Sequence, residues 1–302
     1  MKSIFQLVVL FFIFSSINYG VFGQQKNEDL FKRLNGIKNQ EFCFYNIDGY
    51  EISSLKMSGK FTAKNISKKY KKLKVKENEL IHSDSSIDLQ NYYVHKSENV
   101  QDDIVHHSSY YFLKTQENEI SAVTFNSYNE VDIDFQRQFV RLVLDAMIPD
   151  DIYSSITTDS VNFGGRKLYL GGRCRWMNIN NIQCSGYGQI NWSVCKDKET
   201  SERTLETQLK VNLARSHGKV VSEEIVDVIF EEVDTKARKV VYDFTGITSA
   251  LVGMTGGKAL TIYFISAPVR DNYISCVMSF WNNDRINPSG LAPLLEEVMR
   301  LK

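Results

Sequence analysis

Tyr111-Phe112-Leu113, a polar turn, Ile120-Ser121-Ala122-Val123-Thr124-Phe125-Asn126 and then an amphipathic segment make up one stretch of the chain. The pattern returns as Tyr263-Phe264-Ile265, a polar turn, Ile274-Ser275-Cys276-Val277, Phe280-Trp281-Asn282-Asn283 and a final apolar-periodic segment. Strand, turn, strand and helix in one order, twice, predict an internal repeat. The pattern extends backwards. Asn91-Tyr92-Tyr93-Val94 and Lys239–Phe244 are β-prone runs placed before each Tyr-Phe strand. Cys43–Gly49 resembles Cys174–Asn181, each a strand entering the Asn/Asp/Gly turn that a hairpin requires.

Between these marks each half has room for a helix. Ala63, Ile66, Tyr70 and Leu73 recur at helical spacing in the first half, and Leu205, Leu209 and Leu213 in the second, where His217-Gly218 offers a stop. A closing helix is expected in each half. Phe135, Phe139, Leu142, Val143, Ala146 and Met147 line the first, with Pro149 ending it. Ser289 would cap the second, whose stripe is Leu291, Leu294, Leu295, Val298 and Leu301. Residues 223–233, with Ile225, Val226, Val228, Ile229 and Phe230, fit either a helix or a buried strand; the turn-like Asp234-Thr235-Lys236-Ala237 before the strand Lys239–Phe244 favours a hairpin. The expected fold is α+β: two tandem related units, 24–149 and 150–302, each an antiparallel sheet packed by helices on one face. The pattern resembles the sheet-and-helix sandwiches of the PsbP/Mog1 kind; the resemblance carries no motif and implies no activity.

The first residues predict export. Lys2 precedes the apolar run Ile4–Phe14, and Val21-Phe22-Gly23 supplies small residues at a cleavage point, so 1–23 reads as a signal peptide. The run is shorter than the ~20 residues a membrane span needs, and no later stretch is apolar enough. The expected product is soluble and secreted or periplasmic. The full chain's 36 basic and 36 acidic residues balance, and loss of Lys2 with the signal segment barely alters this, which gives no reason to expect nucleic acid as a partner.

Chemistry-bearing patterns are few. Five cysteines in an exported chain raise the question of disulfides. Cys174 would face Cys184 across a three-residue hairpin loop, whereas a two-residue loop at Asn180-Asn181 would set Cys184 against Met177. Cys43 and Cys276 read as small buried hydrophobes. In Asp102-Asp103-Ile104-Val105-His106-His107, a helical turn would bring Asp103 and His107 to one side as a metal site requires, but no third ligand stands near. Gly253-Met254-Thr255-Gly256-Gly257-Lys258 lacks the P-loop spacing, having Val252 and Ala259 at two of its required positions. No Gly-x-Ser-x-Gly elbow accompanies the five histidines, and the paired carboxylates read as solvated faces. No catalytic residue, metal or cofactor is therefore expected.

One patch stands out. From Lys60 to Lys76 there are eight lysines and no acid, among them Lys64, Lys68, Lys69, Lys71 and Lys72. On a helix packed by its apolar side they would form an anionic-surface patch, docking on lipid headgroups, polysaccharide or an acidic protein. Asn65-Ile66-Ser67 and Asn191-Trp192-Ser193 are glycosylation sequons, relevant only in a eukaryotic source. The function expected from the sequence is an exported, non-catalytic binding or envelope-associated protein. The alternative is a secreted hydrolase with its site in the cleft between the units.

Overall fold

The computed structural model describes residues 27–302 except 41, 102, 158, 171–172, 216–217 and 245–256. The signal segment, Asp102, His217 and Gly253–Gly256 lie outside the described residues. In chain order, residues 27–33 form α1, followed by β1 (Asn35–Asn39), β2 (Phe42–Ile47), β3 (Tyr50–Ser58), α2 (Ala63–Lys69), β4 (Asn91–Gln101), β5 (Ile104–Gln116), β6 (Glu119–Tyr128), α3 (Ile133–Leu144) and β7 (Tyr153–Ser154). A small hairpin, β8 (Ser160–Phe163) and β9 (Arg166–Tyr169), leads to the second half. There β10 (Cys174–Asn178), β11 (Asn181–Cys184) and β12 (Gly188–Cys195) precede α4 (Lys198–Arg215). The chain then runs through β13 (Lys219–Phe230), β14 (Val233–Asp243), β15 (Ala259–Val269), β16 (Asn272–Trp281), α5 (Pro293–Glu296) and β17 (Met299–Leu301).

Two large sheets result. Their orders are β4-β5-β6-β3-β2-β1-β7 and β10-β11-β12-β16-β15-β14-β13-β17. All neighbouring strands are antiparallel except β1 and β7. Both sheets have the same connectivity: a three-strand meander, a crossover helix, then a second meander whose last strand pairs with the end of the first. The second sheet adds one strand, β13. The first sheet takes in Tyr153–Ser154, past the expected division at 149/150, because Tyr153 hydrogen-bonds the buried Tyr45 hydroxyl to hydroxyl at 3.0 Å. The Cys43 strand is β2, a middle strand, whereas the Cys174 strand is the edge strand β10. The expected equivalence of those two stretches is therefore displaced by one strand.

The period-2 pattern of the Tyr-Phe strands divides the core in the same way twice. Tyr111 and Leu113 pack under α3 with Phe139, Val140 and Leu142, while Phe112 faces the other way, under α2 with Ile66 and Tyr70. Tyr263 and Ile265 pack under α5 with Leu294 and Leu295, while Phe264 faces α4 with Leu209. Two large antiparallel sheets with few helices are what the structure has of the expected α+β fold; apolar clusters form on both faces of each sheet because successive residues of a strand point oppositely and both sets here are apolar. Each fully buried Leu, Val or Phe contributes about 1.5–3 kcal/mol.

The closing segment differs from its expectation. Helix α5 spans only Pro293–Glu296, and Met299–Leu301 pairs as β17 with Phe230–Val228 of β13. Proline at the first helical position fixes the start there. Ser289 instead caps the preceding turn, its Oγ accepting from the Leu291 N–H at 3.2 Å. Helix α3 follows its stripe, with Asp132 capping Phe135 N–H at 2.9 Å.

The 223–233 stretch is indeed strand, but its hairpin turns at Glu231-Glu232, both with positive φ (48° and 66°), rather than at Asp234–Ala237. The Glu231 carboxylate, 3% exposed, is held by Arg166 Nε (3.1 Å) and Nη2 (2.6 Å) and by Arg270 Nη1 (2.9 Å). Arg270 Nη2 also donates to Phe163 O at 2.7 Å, so this triad ties the β8–β9 hairpin to the second sheet. Removing one member leaves charge buried without its partner. Glu231→Ala is expected to cost about 3–5 kcal/mol in urea unfolding, far more than Glu232→Ala at its exposed pair with Arg300. Equal small effects would show the triad to be structurally idle.

Candidate functional site

The two sheets meet at the β2–β3 hairpin. Asp48 (φ 51°) and Gly49 (φ 83°) form its tip, a turn with two positive φ angles of the kind Asp-Gly favours. The tip inserts against the second sheet: Asp48 N–H donates to Val194 O at 3.0 Å, and Lys196 N–H donates to Asp48 Oδ1 at 2.7 Å. The same carboxylate accepts from Arg33 Nε at 3.1 Å and Nη2 at 3.2 Å. A Cβ at Gly49 would lie 2.7 Å from Thr204 Oγ1 of α4. Asn178 of the second half donates to Glu51 at 3.1 Å, and Asn180 to the buried Asn46 at 3.4 Å.

Helix α4 completes the joint. One side packs on Phe264 and Tyr242, while Arg203 reaches Glu130 at 2.8 Å and Lys210 pairs with Asp103. Between α4, β12 and the polar end of the first sheet lies a cavity of about 130 Å³, lined by Asn46, Asp48, Glu51, His106, Arg203 and Gln208 among others. The structure therefore has a cavity where a hydrolase site was expected. Two of its carboxylates are already engaged: Asp48 is held by Arg33 and the Lys196 amide, and Glu130 pairs with Arg203. Glu51 reaches solvent at the mouth; loss of hydration raises its carboxyl above the ordinary value, partly offset by Asn178. Cys195, beside Thr204 and Ser275, has its thiol pushed up to about 12 by burial, so it is no thiolate nucleophile at neutral pH.

The Asp103/His107 pairing does not form. Residues 104–116 are strand, so His106 and His107 point to opposite faces, and Asp103 is engaged by Lys210. His106 turns its ring toward Tyr128 at 5.1 Å in the cavity wall. His107 instead meets His95 of β4, ring centroids 5.3 Å apart. Sequence reading missed that pair; the one signal for it is the β4–β5 register, which sets Ser97 against His107 and His95 against Ser109.

The lysine patch lies where the helix was expected. Lys64, Lys68 and Lys69 are exposed on α2, and Lys71 and Lys72 on the 3₁₀ turn after it, with Ile66 and Tyr70 buried beneath. Among the described residues, none of the eight ammonium groups from Lys60 to Lys76 lies within 4 Å of a carboxylate, although such pairs are common elsewhere on the surface. On the same face, Phe42 and Phe44 stack at 5.7 Å and are each 38% exposed, Phe42 directly across from Leu55 under α2. Asn191 of the second sequon sits on the cavity side of central strand β12, with no room for a glycan.

Cys174 stands across from Cys184 and the two are joined as a disulfide; a register shift between Trp176 and Asn178 sets that alignment. Cys43 is half-buried, Cys195 and Cys276 are buried, and burial pushes the Cys276 thiol up as well.

No family model matches the chain, and no curated protein matches it. Among solved structures, the crystal structure of the di-domain ARO/CYC StfQ from the steffimycin biosynthetic pathway aligns with 88% of this chain and 79% of that one. The identity is 9% and the TM-score 0.17, a superposition that carries no argument.

Iodoacetamide applied to the native protein is expected to label Cys43 alone, and after unfolding without reductant Cys195 and Cys276 as well. Native labelling of Cys195 would contradict the account of that thiol, and labelling of Cys174 or Cys184 without reductant would contradict the bridge.

Proposed function

We propose that this chain is an exported, non-catalytic binding protein, built of two related sheet-and-helix units, that docks through α2 on an anionic lipid surface. The unpaired lysine cluster is the observation that carries the reading. Among the described residues no carboxylate lies within 4 Å of Lys64, Lys68, Lys69, Lys71 or Lys72, so their charges stay available, and near an anionic bilayer each contributes on the order of 1 kcal/mol. The stacked Phe42 and Phe44, exposed on the same face of the sheet as α2, favour a membrane interface over a polysaccharide, since exposed aromatic rings suit the headgroup region. Among the described residues no helix is long and apolar enough to cross a membrane, so attachment through this face would be peripheral. Recurrence of one connectivity with the same division of the Tyr-Phe strands supports relatedness of the units.

The inter-sheet cavity fits this reading better than a hydrolase. Of the carboxylates that line it, Asp48 and Glu130 are committed to holding the two sheets together and Glu51 accepts from Asn178 across the joint. It serves as a joint.

Co-sedimentation with vesicles tests the proposal. Binding is expected to vesicles containing phosphatidylserine and not to neutral ones, and to weaken as salt shortens the screening length. Replacing Lys68, Lys69, Lys71 and Lys72 by Gln is expected to reduce it roughly 10²–10³-fold. Binding unchanged by the quadruple replacement, or retention on heparin with none on vesicles, would overturn it.

A further inference from the structure

The His95–His107 pair on the β4–β5 hairpin lies on the face of the first sheet opposite α2, beyond Tyr93 and Tyr111. Three donor atoms converge there. His95 Nε2 is 3.3 Å from His107 Nδ1, and Ser97 Oγ lies 3.1 Å from the first and 3.0 Å from the second. These are spacings that two or three ligands of one metal ion adopt. With metal–nitrogen bonds of about 2.0–2.1 Å, nitrogens separated by that distance subtend roughly 105–110° at the ion, close to tetrahedral.

The remaining nitrogen of His95 is also provided for. Its Nδ1 lies 3.0 Å from the hydroxyl of Ser109, which is itself 1% exposed in the sheet. That contact turns Nε2 toward His107, the role that outer partners play for metal-binding imidazoles. Strand pairing holds the arrangement, with both histidines on adjacent antiparallel strands at diagonal positions. His95 and Ser97 are open to solvent, so an ion can enter and water can complete its coordination.

We propose that His95 and His107, with Ser97 beside them, form a binding site for a divalent transition-metal ion. Imidazole pairs suit copper, nickel and zinc, and the general affinity order puts copper(II) first. The site departs from the sequence-level expectation of no metal, and it is independent of the lysine face.

The test is copper(II) titration of the untagged full-length mature protein, followed by calorimetry and electron paramagnetic resonance. One ion per chain is expected, with hyperfine structure from two nitrogens. His95→Ala and His107→Ala should each abolish the two-nitrogen signal and weaken binding at least about tenfold. Ser109→Ala, which leaves both ligands in place, should weaken it by about 10–100-fold. His106→Ala, on the opposite face, should change nothing. Circular dichroism melts of each variant separate loss of metal from loss of fold. Absence of copper binding, binding that survives either His95→Ala or His107→Ala in folded protein, or an equal loss in His106→Ala would overturn the proposal.

Discussion

One backbone amide and one carboxylate, both of Asp48, fix how the halves of this molecule meet. The Asp48 amide reaches Val194, and its side chain bridges Arg33 of the first half to the Lys196 amide of the second. This requires the tip of β2–β3 to be narrow, and the positive φ of Gly49 beside Thr204 satisfies that requirement. Bulk at Gly49 would push α4 away, and with it the Arg203–Glu130 and Lys210–Asp103 pairs.

The location of α4 explains its composition. A surface helix shows one apolar stripe and one polar face. This one lies between a sheet on one side and the polar end of another on the other, so it places Leu209 against Phe264 while sending Arg203 and Lys210 to acids in the connections of the first half. Among the described residues its counterpart α2 has no such second neighbour and carries its lysines outward. One topological position thus holds the molecule together in one half and is free for a partner in the other. The difference follows from charge: acids meet the basic residues of α4, whereas among the described residues none lies within 4 Å of those of α2.

Much of the architecture was legible in Tyr111-Phe112-Leu113 and Tyr263-Phe264-Ile265, because a strand buried on both faces must be apolar at consecutive positions, and few alternatives satisfy that twice. Helix α3 was legible from its stripe. The last segment was not: Leu291 to Leu301 has helical spacing, but pairing of Met299–Leu301 with the free edge of β13 outcompetes a longer helix. The Asp103/His107 pairing, set aside in the sequence for want of a third ligand, also required a helical turn where a long strand runs. Register decided the rest. The β-bulge after Trp176 that aligns Cys174 with Cys184, and the diagonal that brings His95 to His107, depend on pairing between strands that local composition leaves open.

Hydrogen exchange at the Asp48 amide tests most directly whether the hairpin tip is the lock between the sheets. An isolated hairpin tip exchanges through local fraying, whereas a locked one opens only with the elements it binds. The expected result is protection of the Asp48 amide within about tenfold of the central amides of β3 and β12, falling together with them as denaturant is added. Fast exchange at Asp48 while β3 and β12 stay protected would contradict the account, because the two sheets would then be held by something other than this joint.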